Sequence, residues 1–170
     1  MLQAGYWQNG VTLFEHSLEV TANNSLSQYS LGVALHHQGK IQEAIAHYTE
    51  ALRIKPEYAE AHNNLGFVLA QQGKIQEAIA HYTEALRIKP DYPTAHTNLG
   101  IILAQQGRNQ EAITHFVEAL RIKPEYAEAH FFLGLVYLRM GNNSLALGEY
   151  KILEEINPIL ANILYDEIFK

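Results

Sequence analysis

Gly39-Lys40-Ile41-Gln42-Glu43-Ala44-Ile45-Ala46-His47-Tyr48-Thr49-Glu50-Ala51-Leu52-Arg53-Ile54-Lys55-Pro56 returns without a single change as Gly73 to Pro90. Outward from this stretch the same punctuation continues. Pro56, Pro90, Pro124 and Pro158 recur every 34 positions, as do Gly32, Gly66, Gly100, Gly134 and Gly39, Gly73, Gly107, Gly141. A fixed period of this length marks a stack of supersecondary units, each unable to bury its apolar face alone.

Within one period the spacing predicts two helices. Ala61, Leu65, Val68 and Leu69 follow helical spacing from Ala59 to Gln72, and Gly73 supplies a left-handed stop. Ile75, Ala78, Ile79, Tyr82, Ala85 and Leu86 then form the stripe of a second amphipathic helix. Pro90 ends it, because the residue before a proline is pushed out of the α region. Two such helices joined by a tight turn form an antiparallel hairpin.

Gly32, Gly66, Gly100 and Gly134 fall inside the first helix, where glycine costs about 1 kcal/mol against alanine. Repeating that cost four times implies a close helix approach. Ala44, Ala78, Ala112 and Ala146 complete the contact from the second helix, and Tyr48, Tyr82, Phe116 and Tyr150 are expected to fill the space one turn later.

The Leu-Gly pair, the Ala-x-x-x-aromatic spacing and the periodic proline resemble the tetratricopeptide repeat. The resemblance covers four units, 25–58, 59–92, 93–126 and 127–160. It implies an all-α fold, a right-handed superhelical solenoid of antiparallel helix pairs. Gln28, His62, His96 and His130 stand where the family usually has Trp, and Leu153 stands where Ala51, Ala85 and Ala119 precede it. Residues 1–24 read as a half-repeat, the second helix of a truncated unit running from Trp7 to Val20. Its Tyr6-Trp7-Gln8-Asn9 and Asn23-Asn24 resemble the entry into repeats of membrane-bound glycosyltransferase-like proteins. Residues 161–170 are expected to form a capping helix, with Leu160, Leu164 and Ile168 spaced by four to cover the last repeat.

The resemblance also implies that first helices line a concave groove. Its rows map onto Tyr29, Asn63, Thr97, Phe131; Val33, Phe67, Ile101, Leu135; His36, Ala70, Ala104, Leu138; and His37, Gln71, Gln105, Arg139. That lining is apolar and amidic, suited to an extended peptide or an amphipathic helix. The apolar row can equally serve packing between first helices. The Lys and Asn with which some relatives grip a terminal carboxylate are missing. Asn64 and Asn98 occupy a row that forms a ladder on the substrate backbone in some relatives, though asparagine is also common there; Ser30 and Phe132 interrupt it. Two rungs about 10 Å apart would meet an extended peptide about three residues apart.

The remaining composition narrows the function classes. The 170 residues are 48% hydrophobic and 18% charged, with no Cys, so no disulfide framework or thiolate is available. The net charge of −6, which nine protonated His would carry to +3, points away from nucleic acid. No apolar run reaches the roughly 18 residues of a membrane span, and the N-terminus lacks the regions of a secretion signal. The chain reads as soluble, with a cytoplasmic setting favoured and a membrane-tethered parent as the alternative. His62, His96 and His130 lie a helix pair apart, too far to share a metal. His47, His81 and His115 each follow a Glu by four and read as exposed intrahelical pairs. No phosphate loop or catalytic constellation stands out, and no cofactor or metal is expected. The expectation is a non-enzymatic protein–protein interaction module with a protein or peptide partner. The alternatives are an assembly that self-associates through the open half-repeat, and the substrate-recruiting region of a larger glycosyltransferase-like protein.

Overall fold

The computed structural model describes residues 24–170, so the half-repeat expected over 1–24, with its Trp7–Val20 helix, lies outside the described residues apart from Asn24. The described residues fold into nine α-helices and no strand, in two compact units that divide between Lys89 and Pro90.

The first unit holds α1 (Ser25–His37), α2 (Ile41–Ile54), α3 (Ala59–Gln71) and α4 (Ile75–Ile88). Asn24 opens α1, its side chain accepting from the Leu26 and Ser27 amides at 3.0 and 3.3 Å. Gly39 closes it at φ 75°, a left-handed conformation that costs glycine little. The Gly39 amide donates to His36 O and the Lys40 amide to Leu35 O, both at 2.9 Å. This paired closure reverses the chain within a few residues and is repeated at Gly73. The α1–α2 core is Leu31, Leu35, Ala44, Tyr48 and Ala51; Ala61, Leu65, Val68, Leu69, Ala78, Tyr82 and Ala85 serve α3–α4.

The glycine argument holds here. A Cβ on Gly32 would lie 2.7 Å from two carbons of the Tyr48 ring, and one on Gly66 would lie 3.0 Å from Tyr82. In the second unit a Cβ on Gly100 would lie 2.8 Å from Phe116. Gly32→Ala and Gly100→Ala are therefore expected to destabilise by about 1–3 kcal/mol, although helix propensity alone would stabilise by about 1 kcal/mol. Urea denaturation distinguishes the signs, and an unchanged or raised midpoint would show that the rings yield.

The second unit holds α5 (Pro93–Gln105), α6 (Asn109–Ile122), α7 (Ala127–Arg139), α8 (Asn143–Ile156) and α9 (Pro158–Ile168). The pattern changes in its last pair. Tyr150 does not fill the space at Gly134; a Cβ on Gly134 would instead meet a Leu164 methyl at 2.6 Å. Leu164 joins Leu153 and Ala161 in a buried cluster. Tyr150 stays half-buried, its ring 5.5 Å from that of Tyr165 and its hydroxyl donating to Glu154. Leu153 takes the place of a small residue and is fully buried. The capping helix begins at Pro158, ahead of 161: Pro158 occupies the first turn, and the Asn157 side chain accepts from the Leu160 amide at 3.2 Å.

Candidate functional site

On the first unit the candidate residues form a continuous set from α1 to α3. Asn64 Nδ2 donates to the Tyr29 hydroxyl at 3.1 Å, and Asn63 Nδ2 donates to Asn64 Oδ1 at 3.1 Å. The Asn64 amide is thus held at both ends. The Tyr29 ring lies 5.0 Å from that of Tyr58 and 6.0 Å from that of Tyr48. Burial, then the nearby Glu60, push the Tyr29 hydroxyl above its ordinary range, against the pull of Asn64. Burial and Tyr29 push Tyr48 up to about 12. Both phenols stay protonated, and Tyr29 acts here as a neutral hydrogen-bonding group. Phe67 is 39% exposed, with His36 edge-on to its ring at 5.6 Å.

On the second unit, Ile101, Ala104 and Gln105 of α5 face Phe132, Leu135, Val136 and Arg139 of α7 across a hollow of about 110 Å³. Arg139 closes one end, its Nη1 donating to Ala104 O at 2.5 Å. Asn98 is half-buried on α5. Phe132 stacks on Phe116 at 6.3 Å, and Phe131 stands edge-on to Phe132 at 5.3 Å.

The rows implied by resemblance are therefore mixed. Tyr29, Asn64, Phe67, Asn98, Ile101 and Leu135 retain accessible surface. Asn63 and Thr97 do not: they are 4% and 1% exposed, and the Thr97 hydroxyl has no hydrogen-bond partner among the described residues. Phe131 also retains accessible surface, and both Phe131 and Leu135 pack partly against the Leu153–Ala161–Leu164 cluster.

A second polar row was not legible as such. His62 Nδ1 lies 3.0 Å from His81 Nδ1, and His96 Nδ1 lies 3.0 Å from His115 Nδ1. Gln28 Oε1 with His47 Nδ1, and His130 Nδ1 with Glu149 Oε2, make the equivalent contacts at 2.6 Å. His47, His81 and His115 are thus not exposed partners of a Glu in their own helix. They bond to the preceding helix at the place where the family usually has Trp. The signal was present in the sequence, since Gln28/His47, His62/His81, His96/His115 and His130/Glu149 share one spacing and every member is polar. Among the described residues, no three His, Asp or Glu side chains gather to hold a metal, and no helix is long and apolar enough to cross a membrane.

Comparison with known proteins matches this repeat. A tetratricopeptide repeat model matches residues 57–125 and 91–151, a TPR repeat model matches 32–73, and a further tetratricopeptide repeat model matches 13–46. A comparison with curated proteins gave no match. Among solved structures, the chain is similar to MamA, with TM-score 0.78, 24% identity and 89% of each chain covered. It is similar to YrrB, a TPR protein with an unusual peptide-binding site, with TM-score 0.74, 23% identity, and 92% of this chain and 81% of that one covered. It is also similar to a thermophilic TPR protein of Thermus thermophilus, with TM-score 0.75, 24% identity, and 93% and 88% covered. At these identities the structures speak for the fold. The family models span more than half of the sequence, and the chain belongs to the tetratricopeptide repeat family, as an all-α protein–protein interaction module.

Proposed function

We infer that this interaction module holds extended peptide on the first helices of each unit, with Asn64 in the first unit and Asn98 in the second on the peptide backbone. Phe67, Ile101 and Leu135 receive side chains. The observation that carries this reading is the pairing of an anchored amide with exposed apolar surface. Asn64 is fixed by Asn63 and Tyr29 one turn before the exposed Phe67. Asn98 is placed likewise ahead of Ile101 and the hollow. An amide oxygen has two lone pairs, so Asn64 Oδ1 can accept from a peptide N–H while keeping its bond to Asn63. YrrB, similar in fold, is described as having an unusual peptide-binding site.

Asn64→Ala/Asn98→Ala is expected to weaken binding of peptides selected from a library by about tenfold, since each lost hydrogen bond is worth about 0.5–1.5 kcal/mol. Few charges line the surface, so affinity should change little with salt. Circular dichroism checks folding. Undiminished binding by the folded double variant would remove the asparagines from the site.

A second reading, self-association, has its own observation. Ile159 is 74% exposed, and Ile163 and Phe169 are also exposed on and beyond α9. If no peptide binds the parent and it sediments as concentration-dependent oligomers, with Ile159→Glu/Ile163→Glu monomeric, this reading replaces the first.

A further inference from the structure

The four inter-helix polar contacts differ in one chemical respect. A proline carbonyl can only accept, so His62 Nε2, 3.0 Å from Pro56 O, carries a proton. In the neutral ring its Nδ1 is then bare, and the proton in the His62–His81 bridge belongs to His81 Nδ1. The same holds for His96, whose Nε2 lies 3.0 Å from Pro90 O, and its partner His115. Which nitrogen is protonated is fixed by the bond the other makes.

We propose that His62–His81 and His96–His115 are acid-sensitive latches that hold α3 to α4 and α5 to α6 and open on protonation. One added proton can enter at the outer nitrogen of His81 or His115 and leave the bridge intact. The second must land on the bridging nitrogen of His62 or His96, which sets two N–H groups face to face and abolishes the bond. The folded bridge cannot hold both protons, whereas the unfolded chain is free of this conflict.

The surroundings agree with that direction. Burial, then the facing His62, hold His81 below the ordinary His range, against Glu77 and Glu84. Glu84 is itself bonded to Arg87, which also reaches Glu57. Burial holds His96 low against the Pro90 carbonyl, Glu118 and Asp91, with Arg121 assisting. Burial, then His96, hold His115 low against Glu111, which Arg108 engages. From neighbouring elements of the same units come His47, bonded to Gln28, and His130, bonded to Glu149. Stability gained from neutral histidines is full above the unfolded value of about 6.5 and is lost as pH falls through the lower folded values. The first and fourth pairs lack the conflict: Gln28 Oε1 accepts from His47 whether or not that ring is charged, and Glu149 accepts from a protonated His130.

Imidazole ¹⁵N spectra of the full chain, with amide hydrogen exchange, test the latch. At about pH 7.5, above the ordinary imidazole range, the nitrogens of His62 and His96 facing Pro56 and Pro90 are expected to be protonated and those facing His81 and His115 bare. The opposite tautomers would overturn the proposal without any variant. From about pH 7.5 to about pH 5, amide protection in α3 to α6, corrected for intrinsic exchange, is expected to fall about tenfold or more, one pKa unit being tenfold. His62→Gln/His96→Gln converts both latches to the Gln28–His47 type and should remove that acid step. An equal step in the folded variant, or none in the parent, would likewise sink the idea.

Discussion

Leu164→Ala is expected to lower the stability of the second unit by about 2–5 kcal/mol, the range for truncating a fully buried leucine. Leu164 is buried with Leu153 and Ala161, and its methyl occupies the space that Gly134 leaves open. In the equivalent positions Gly32 meets Tyr48 and Gly100 meets Phe116. The fourth unit thus fills its glycine notch from the helix that follows it. Tyr150→Ala should cost about 1 kcal/mol or less, because that ring lies half-buried beside Tyr165 and Glu154. Urea denaturation of the two variants gives the order. If Tyr150→Ala proved the more damaging, Leu164 would not be the group that seals the end of this unit.

The helix pairs were legible because their causes are local. Gly39 and Gly73 close their helices through their own amides and those of the next residue, which bond to carbonyls three and five residues back, and the same glycines recur at fixed spacing. The Gly32–Tyr48 approach was legible too, since only a second helix explains a glycine inside the first. The fate of Tyr150 was not, although its cause was visible. Leu153 replaces an alanine, and what a larger side chain displaces depends on α9, which follows no repeat pattern. The candidate site divides in the same way. Phe67 and Ile101 keep open surface, as their place in the apolar groove row implies. Asn63 and Thr97 are polar by sequence yet buried, and residue type alone does not say what covers a position. The histidine row was hidden by comparing each His with the Glu in its own helix, when the bond crosses to the helix before it.

The His130–Glu149 contact leads to the other large effect. His130 is 6% exposed, and both ring nitrogens face acceptors: Nδ1 lies 2.6 Å from Glu149 Oε2 and Nε2 lies 2.8 Å from Pro124 O. Satisfying both requires two N–H groups, which only the imidazolium has. Burial alone would lower the ring's pKa, but the bonds to Glu149 and Pro124 and the Glu149 charge outweigh it and raise it above the ordinary value. Glu149→Ala leaves a buried cation without its counter-charge, and about 3 kcal/mol should be lost where the ring is protonated. A group with a raised folded pKa stabilises fully below its unfolded value of 6.5 and loses that contribution as pH rises through the folded value. The gap between parent and Glu149→Ala should therefore be wide at about pH 6, below the ordinary imidazole value, and narrower at about pH 9, above it. This is opposite in sign to the His–His pairs. Guanidinium or urea denaturation at both pH values checks it, and a gap that stays constant would mean that the carboxylate acts on a neutral ring.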